Sequence, residues 1–214
     1  MAKRVKLRPA MEASEKSSGA PNIDCPNDAP ADSLSLGLPA HATLEEIAMT
    51  GPMPVLDVEI PAEWVDYNNH LNDAYHAVAF SRAGDNFMER VGLGEAGRAA
   101  TGRTTYTLSL VIRYLAEAKL GERLSISLQV LEIDKKRMRV WFEAHRADGV
   151  LASTSEQIYM CVDRTGERPR AADFPHDVAA RLEAVAAEHA KLATPLEAGQ
   201  GLTLRRRSTS SVTP

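Results

Sequence analysis

The sequence is poor in the residues and runs that secreted, metal-binding and membrane-spanning proteins need. Its 214 residues include only two cysteines, Cys25 and Cys161, which are too far apart for a CxxC pair, so neither a disulfide framework nor a zinc site is indicated. No apolar run approaches the roughly 18 to 20 residues of a membrane-spanning helix, and no apolar stretch follows the basic N-terminus as it would in a signal peptide. We therefore expect a cytoplasmic protein with no metal and no membrane partner.

A strong excess of one charge is also lacking. The chain has 25 Lys+Arg against 29 Asp+Glu, a formal net charge of -4 at pH 7. Nucleic-acid-binding domains usually carry a basic face, whereas the basic clusters of this chain, at 3–8 and 205–207, lie at its ends among Ser, Pro and Thr. Nucleic acid is therefore not an expected partner.

Composition divides the chain into four parts. Residues 1–53 are rich in Pro, Ser, Ala and Asp and have almost no aromatics, which predicts a disordered extension with one short helix at 43–49. We expect one folded domain at 54–165, a connector with an amphipathic helix at 166–200, and a disordered tail at 201–214.

Hydrophobic periodicity predicts an α+β domain. Alternating residues at 55–60 indicate a strand, and apolar residues at every fourth position from Tyr75 to Val91 indicate a long helix buried on most of its circumference. Four further alternating segments follow between 104 and 163, separated by short turns. This βαββββ order favours an antiparallel sheet of about five strands wrapped around one long central helix, with a second, surface helix near 174–192.

The joint between the first strand and the long helix, residues 64–75, has the chain's densest group of polar and aromatic side chains. A loop that leads into a helix N-terminus offers unpaired N–H groups that can hold a developing oxyanion. Asp66 could act there as nucleophile or general base. The same residues also have ordinary structural interpretations, since Asp66 suits an Asx turn, His70 a loop, Asn72 a helix cap and Asn69 a positive φ.

The spacing of Asp66, Asn69-His70, Leu71 and Asn72-Asp73, together with the βαββββ order, resembles the acyl-CoA thioesterase family of the hotdog fold, which includes 4-hydroxybenzoyl-CoA thioesterases. The resemblance covers about 55–163. Two departures are evident: Asn69 stands where the family has glycine, and Asp73 stands where it has a second asparagine. The second departure adds a carboxylate near the helix N-terminus.

The resemblance implies hydrolysis of acyl-CoA without metal or cofactor, with coenzyme A only as part of substrate and product. It assigns catalysis to Asp66 with His70, Asn72 and the N–H near Asp73. It also implies a homodimer or homotetramer with active sites between protomers. It further assigns Thr104 and Thr105 to a wall of the site that the partner chain contributes. Arg113 and Lys119 are the candidates for binding the coenzyme A phosphates.

A closer resemblance is to the betainyl-CoA thioesterases of carnitine breakdown, which occur alone or fused to carnitine dehydrogenase, a possible partner. Three stretches carry it: residues 64–68, which precede His70; the pair Glu156-Gln157; and the end of the C-terminal helix with the residues after it, 189–199. A trimethylammonium acyl group suits aromatic faces. The expected substrate-binding residues are Trp64, Tyr67, Asn69, Tyr75 and Tyr106, with Asp85 as a counter-charge.

Two other functions remain open at this point. A hotdog hydratase or dehydratase on hydroxyacyl thioesters would use a His with an acidic partner, for which His70 is available. A non-catalytic acyl-CoA-binding hotdog protein would normally carry a DNA-binding domain, which residues 1–53 do not suggest. Fold analogy alone does not choose among the three functions.

Overall fold

The computed structural model describes residues 51–201, which form an antiparallel sheet and three α-helices. The predicted helix at 43–49, Cys25 and nearly all of the two predicted disordered ends lie outside these residues. The elements in chain order are β1 (Met53–Glu59), α1 (Asp73–Val91), α2 (Glu95–Thr101), β2 (Arg103–Tyr114), β3 (Arg123–Ile133), β4 (Arg137–Arg146), β5 (Leu151–Asp163), β6 (Arg170–Ala171) and α3 (His176–His189).

The sheet has the strand order β1-β3-β4-β5-β2, and the two-residue β6 adds to β5. Every pairing is antiparallel, and the predicted βαββββ order is confirmed. β2 therefore forms one edge of the sheet, next to β5 alone. That edge is important for the site because its last residue, Tyr114, reaches the start of α1.

The core lies between α1 and one face of the sheet. Alternate residues of β3 and β4 are buried there, and the ring of Phe80 on α1 lies 5.8 Å from that of Phe142 on β4. Burying alternate side chains fixes the strand register, because a shift of one residue would turn all of them outward. The α+β prediction is confirmed, whereas the placing of one long helix at the centre of the fold stays a prediction.

The ends of α1 follow the signals in its sequence. The side chain of Asn72 accepts a hydrogen bond from the N–H of Ala74 at 3.0 Å, and Gly92 ends the helix in the left-handed region at φ 86°. The short α2 that follows was not predicted, because its seven residues bury none of their side chains and so show no apolar stripe.

The chain after α3, residues 190–201, is called the C-terminal segment here. It lies over the face of the sheet that is remote from α1. The Gln129 amide donates to the Ala193 carbonyl at 3.3 Å, and the Gly199 N–H donates to the Glu156 carboxylate at 2.9 Å. Trp141, between them on β4, is only 3% exposed.

No helix in residues 51–201 is long and apolar enough to cross a membrane.

Candidate active site

Residues 65–71 form a small hairpin, called the Asp66 loop here. Val65 and Leu71 pair as an antiparallel bridge, and the Asp66 N–H donates to the His70 carbonyl at 2.9 Å. The Asn69 N–H closes the turn on the Asp66 carbonyl at 2.9 Å, with Asn69 itself at φ 62°. Asparagine tolerates this left-handed conformation better than most residues, which explains how it can stand where glycine was expected.

The Asp66 loop is fixed to the segment that precedes β3. The Leu71 N–H donates to the Ala118 carbonyl at 2.7 Å, and His70 pairs with Lys119 as an isolated bridge. The His70 Nε2 atom also lies 3.3 Å from the carboxylate of Glu117. His70 therefore contacts the segment before β3 through both its backbone and its side chain, while its catalytic role stays a prediction. Nothing in the nearby sequence signals a partner 47 residues away.

The Asp66 carboxylate is surrounded by donors from its own loop. Its Oδ1 accepts from the N–H groups of Asn68 at 2.8 Å and His70 at 3.3 Å, and its Oδ2 accepts from the Asn68 amide at 3.3 Å. Partial desolvation tends to raise its pKa, but these hydrogen bonds and the nearby His70 outweigh it, so the pKa of Asp66 is lowered. Asp66 is therefore an anion at neutral pH.

The first turn of α1 begins directly after the loop. The Ala74 N–H is bonded to the side chains of Asn72 at 3.0 Å and Asp73 at 2.8 Å. The Asp73 N–H is the first of the helix and has no acceptor within residues 51–201, so it remains available for an anionic oxygen. Asn72 and Asp73 are thus found at the helix N-terminus, the first as its cap.

The four aromatic residues expected around the substrate do not come together within residues 51–201. Trp64 is buried and stacks on Tyr75, with ring centroids 5.8 Å apart, while the guanidinium of Arg82 lies 4.9 Å from the Trp64 ring. Tyr67 is 96% exposed at the loop tip, and Tyr106 is exposed on β2. Among the described residues, Trp64 and Tyr75 are the only two of the four that contact each other.

The remaining predicted site residues fall into two places. Thr104 and Thr105 are half-buried at the start of β2, opposite Val162 and Cys161 of β5. Because a strand rises about 3.3 Å per residue, they lie roughly 30 Å along β2 from Tyr114 and the helix N-terminus. Lys119 is exposed beside the Asp66 loop.

Arg113, the other residue expected to bind coenzyme A, contacts the C-terminal segment. Its guanidinium donates to the carbonyls of Glu197 at 3.3 Å and Gly201 at 3.0 Å, and lies over the Trp141 ring. These partners are 84 and 88 residues away in sequence, so no local pattern could have indicated them.

Sequence reasoning missed a basic loop between β5 and β6. It borders an open cavity of about 600 Å³ lined by Asp163, Thr165, Gly166, Glu167, Arg168 and Arg170. Thr165 and Arg103 hold the Asp163 carboxylate and lower its pKa to about 2. Arg168 and Arg170 form no salt bridge with any described residue. The run Arg-Thr-Gly-Glu-Arg-Pro-Arg at 164–170 could have indicated this basic loop from the sequence.

Within residues 51–201, no three His, Cys, Asp or Glu side chains group as a metal site would require.

Comparison with known proteins agrees with this arrangement. The family model described as the thioesterase-like superfamily matches residues 60–182. A betainyl-CoA thioesterase of Pseudomonas aeruginosa is 35% identical over 73% of this chain and 95% of its own length. An L-carnitine dehydrogenase/betainyl-CoA thioesterase of Rhizobium meliloti is 34% identical over 73% of this chain, but the match covers only 31% of that longer protein.

Solved structures give the same result. A hypothetical protein of Staphylococcus aureus in complex with CoA superposes with a TM-score of 0.65 and 25% identity, over 72% of this chain and 97% of that one. A candidate thioesterase of Pseudomonas putida superposes with a TM-score of 0.63 and 30% identity, over 74% of this chain and 100% of that one. This chain belongs to the thioesterase-like superfamily, has its hotdog fold, and is a thioester hydrolase.

Proposed function

We propose that this protein hydrolyses a small acyl-CoA, with betainyl-CoA as the favoured substrate and betaine and free CoA as products. One observation carries the reaction: the loop that holds the ionised Asp66 carboxylate leads directly into α1, whose first N–H, that of Asp73, has no acceptor among residues 51–201. The similarity to a betainyl-CoA thioesterase over 95% of that protein's length supports the substrate. A cytoplasmic location and joint action with a carnitine dehydrogenase belong to the same proposal.

Asp66 can act in either of two ways. As a general base it takes a proton from water, whose oxygen attacks the thioester carbonyl; as a nucleophile it forms an acyl anhydride that water then hydrolyses. In both, the carbon–sulfur bond breaks, CoA leaves as the thiolate, and the Asp73 N–H stabilises the oxyanion. The lowered pKa keeps Asp66 ionised, as both routes require. Neither route uses a cofactor.

We propose that two copies assemble through β2. Its exposed apolar residues at the sheet edge would otherwise face water, namely Tyr106, Leu108, Leu110 and Tyr114. Antiparallel pairing about the middle of β2 would bring the partner's Thr104 and Thr105 beside Tyr114 and the first turn of α1. The site of one protomer would then be completed by the other. Larger assemblies, including a tetramer, remain compatible with this pairing.

The same pairing would bring the partner's basic loop towards the Asp66 loop. Arg168 and Arg170, beside Lys119, are therefore proposed to hold the coenzyme A phosphates, since arginine binds phosphate by paired hydrogen bonds. Arg113 is less suited to this role because the C-terminal segment already occupies it.

For the cationic acyl group, the exposed rings of Tyr67 and Tyr106 are the more suitable contacts. The Trp64 ring is already stacked on Tyr75 and covered by Arg82. Asp85 lies on the exposed side of α1, and desolvation together with Glu89 raises its pKa. It would provide the counter-charge, and Asn69 at the loop tip would line the same entrance.

The test is thiol release by purified protein with betainyl-CoA, acetyl-CoA, butyryl-CoA and a long-chain acyl-CoA. We expect rapid release from betainyl-CoA, lowered at least about 100-fold in Asp66→Asn. Asp177→Asn, an exposed carboxylate on α3, is the matched control and should retain full activity. Release from none of the four, with thermal stabilisation by acyl-CoA, would favour a binding protein; hydration of an enoyl-CoA would favour the hydratase.

A further inference from the structure

Three side chains join the first turn of α1 to the sheet. The Tyr114 hydroxyl, at the end of β2, donates to the carbonyl of Asp73 at 3.1 Å. The Tyr114 ring meets the ring of His76 edge-on, with centroids 5.1 Å apart. His76 Nδ1 in turn lies 2.9 Å from the hydroxyl of Ser153 on β5, and both residues are buried. The start of α1 is thereby held to two neighbouring strands.

These contacts add to the helix's own hydrogen bonding of one peptide group, in the first turn of α1, at both of its ends. The Asp73–Ala74 peptide has its carbonyl bonded to Tyr114 and its N–H bonded to the side chains of Asn72 and Asp73. A peptide group that is held by both its donor and its acceptor cannot rotate freely about its neighbours. The adjoining N–H, that of Asp73, has no acceptor among the described residues, and its direction depends on this neighbouring peptide.

We infer that Tyr114, backed by His76 and Ser153, is a positioning residue that aims the Asp73 N–H at the reacting carbonyl. This inference rests on the proposed function. Tyr114 acts through the helix and needs no contact with substrate. Because an oxyanion donor works only when it is oriented in advance, a small loss of alignment should lower turnover more than binding.

The cluster keeps its arrangement at neutral pH. Burial lowers the pKa of His76 to about 4, although the Asp73 carboxylate acts to raise it. Desolvation and Asp73 together raise the pKa of Tyr114. His76 is therefore neutral and Tyr114 protonated under assay conditions, and the protonated Tyr114 hydroxyl can donate to the Asp73 carbonyl.

The chain offers a matched pair of substitutions, each of which removes one hydroxyl from a strand facing α1. Tyr114→Phe loses the bond to Asp73, whereas Tyr159→Phe loses a buried bond to Gln157 at 2.6 Å, opposite the middle of α1. With betainyl-CoA we expect kcat to fall about 10- to 100-fold in Tyr114→Phe, with KM changed less than about twofold. Tyr159→Phe should lose thermal stability but keep its kcat. Equal kcat in the two variants would overturn the inference.

Amide hydrogen exchange tests the positioning role without any turnover. Residues 74–80 should exchange faster in Tyr114→Phe than in the wild type, whereas Tyr159→Phe should leave that peptide unchanged. Unchanged exchange in Tyr114→Phe would contradict the role of Tyr114 even if the protein hydrolyses acyl-CoA. Conversely, a wild type that releases no thiol, with faster exchange in Tyr114→Phe, would contradict the proposed function and leave the structural role of Tyr114 standing.

Discussion

Acidification should destabilise this protein measurably through the buried His76. Its side chain is 5% exposed, and its pKa is lowered from 6.5 to about 4 because burial disfavours the charged ring. The unfolded chain therefore binds a proton more readily than the native one. The stabilising contribution is present above pH 6.5 and is lost as the pH falls towards 4. At 1.36 kcal/mol per pKa unit, the loss amounts to about 2 kcal/mol at pH 5 and about 3 kcal/mol at pH 4.

The measurement is urea unfolding of the wild type and His76→Asn at pH 7, 5 and 4. Asparagine cannot titrate, but its amide can still form a hydrogen bond with Ser153, as donor or as acceptor. We expect the free energy of unfolding to fall more steeply with acid in the wild type, by the magnitudes above. Other titrating groups, including the buried His189, are common to both proteins and cancel in the difference. Parallel pH profiles for the two proteins would refute the assignment of a depressed pKa to His76.

Three further substitutions should have distinct effects on stability. Gly84→Ala would bring a Cβ to 2.5 Å from the Tyr159 hydroxyl, so urea unfolding should show a loss of about 1–3 kcal/mol; an unchanged midpoint would contradict this close packing. His189→Ala removes the acceptor of the buried Val130 N–H, 2.9 Å away, and should cost about 1–3 kcal/mol by the same assay, whereas a neutral effect would mean that the donor finds another partner. At Asn69, with φ 62°, Ala should cost about 1–2 kcal/mol and Gly should be tolerated; equal stability of the two variants would argue against the left-handed turn.

Local patterns were sufficient for most of the fold. The alternating residues of β3 and β4 are buried as predicted, because one side of each strand faces the core. The cap at Asn72 and the stop at Gly92 were also readable, since both depend on the conformation of a few neighbouring residues. The short α2 was missed because its sequence has no buried side to produce a periodic signal.

The site was predictable to a lesser extent. The sequence indicated the turn at Asn69 and the cap at Asn72, because both depend on neighbouring residues, whereas the catalytic roles of Asp66 and the Asp73 N–H stay predictions. Contacts between distant segments could not be foreseen, such as His70 with Glu117 and Arg113 with Glu197. A cage built from four aromatic residues depends on such distant contacts, and within residues 51–201 only two of those rings meet, those of Trp64 and Tyr75.

The fluorescence of the two tryptophans of this chain can report separately on the surroundings of Trp64 and on the C-terminal segment. Trp64 is two residues from Asp66 and lies against Tyr75 and Arg82, whereas Trp141 is covered by the C-terminal segment. Both are about 3% exposed, so either should shift its emission to longer wavelengths when its cover is removed. With one of them replaced by phenylalanine, the fluorescence of the other would time the separation of Trp64 from Tyr75 and Arg82, or the detachment of residues 190–201, without any attached label.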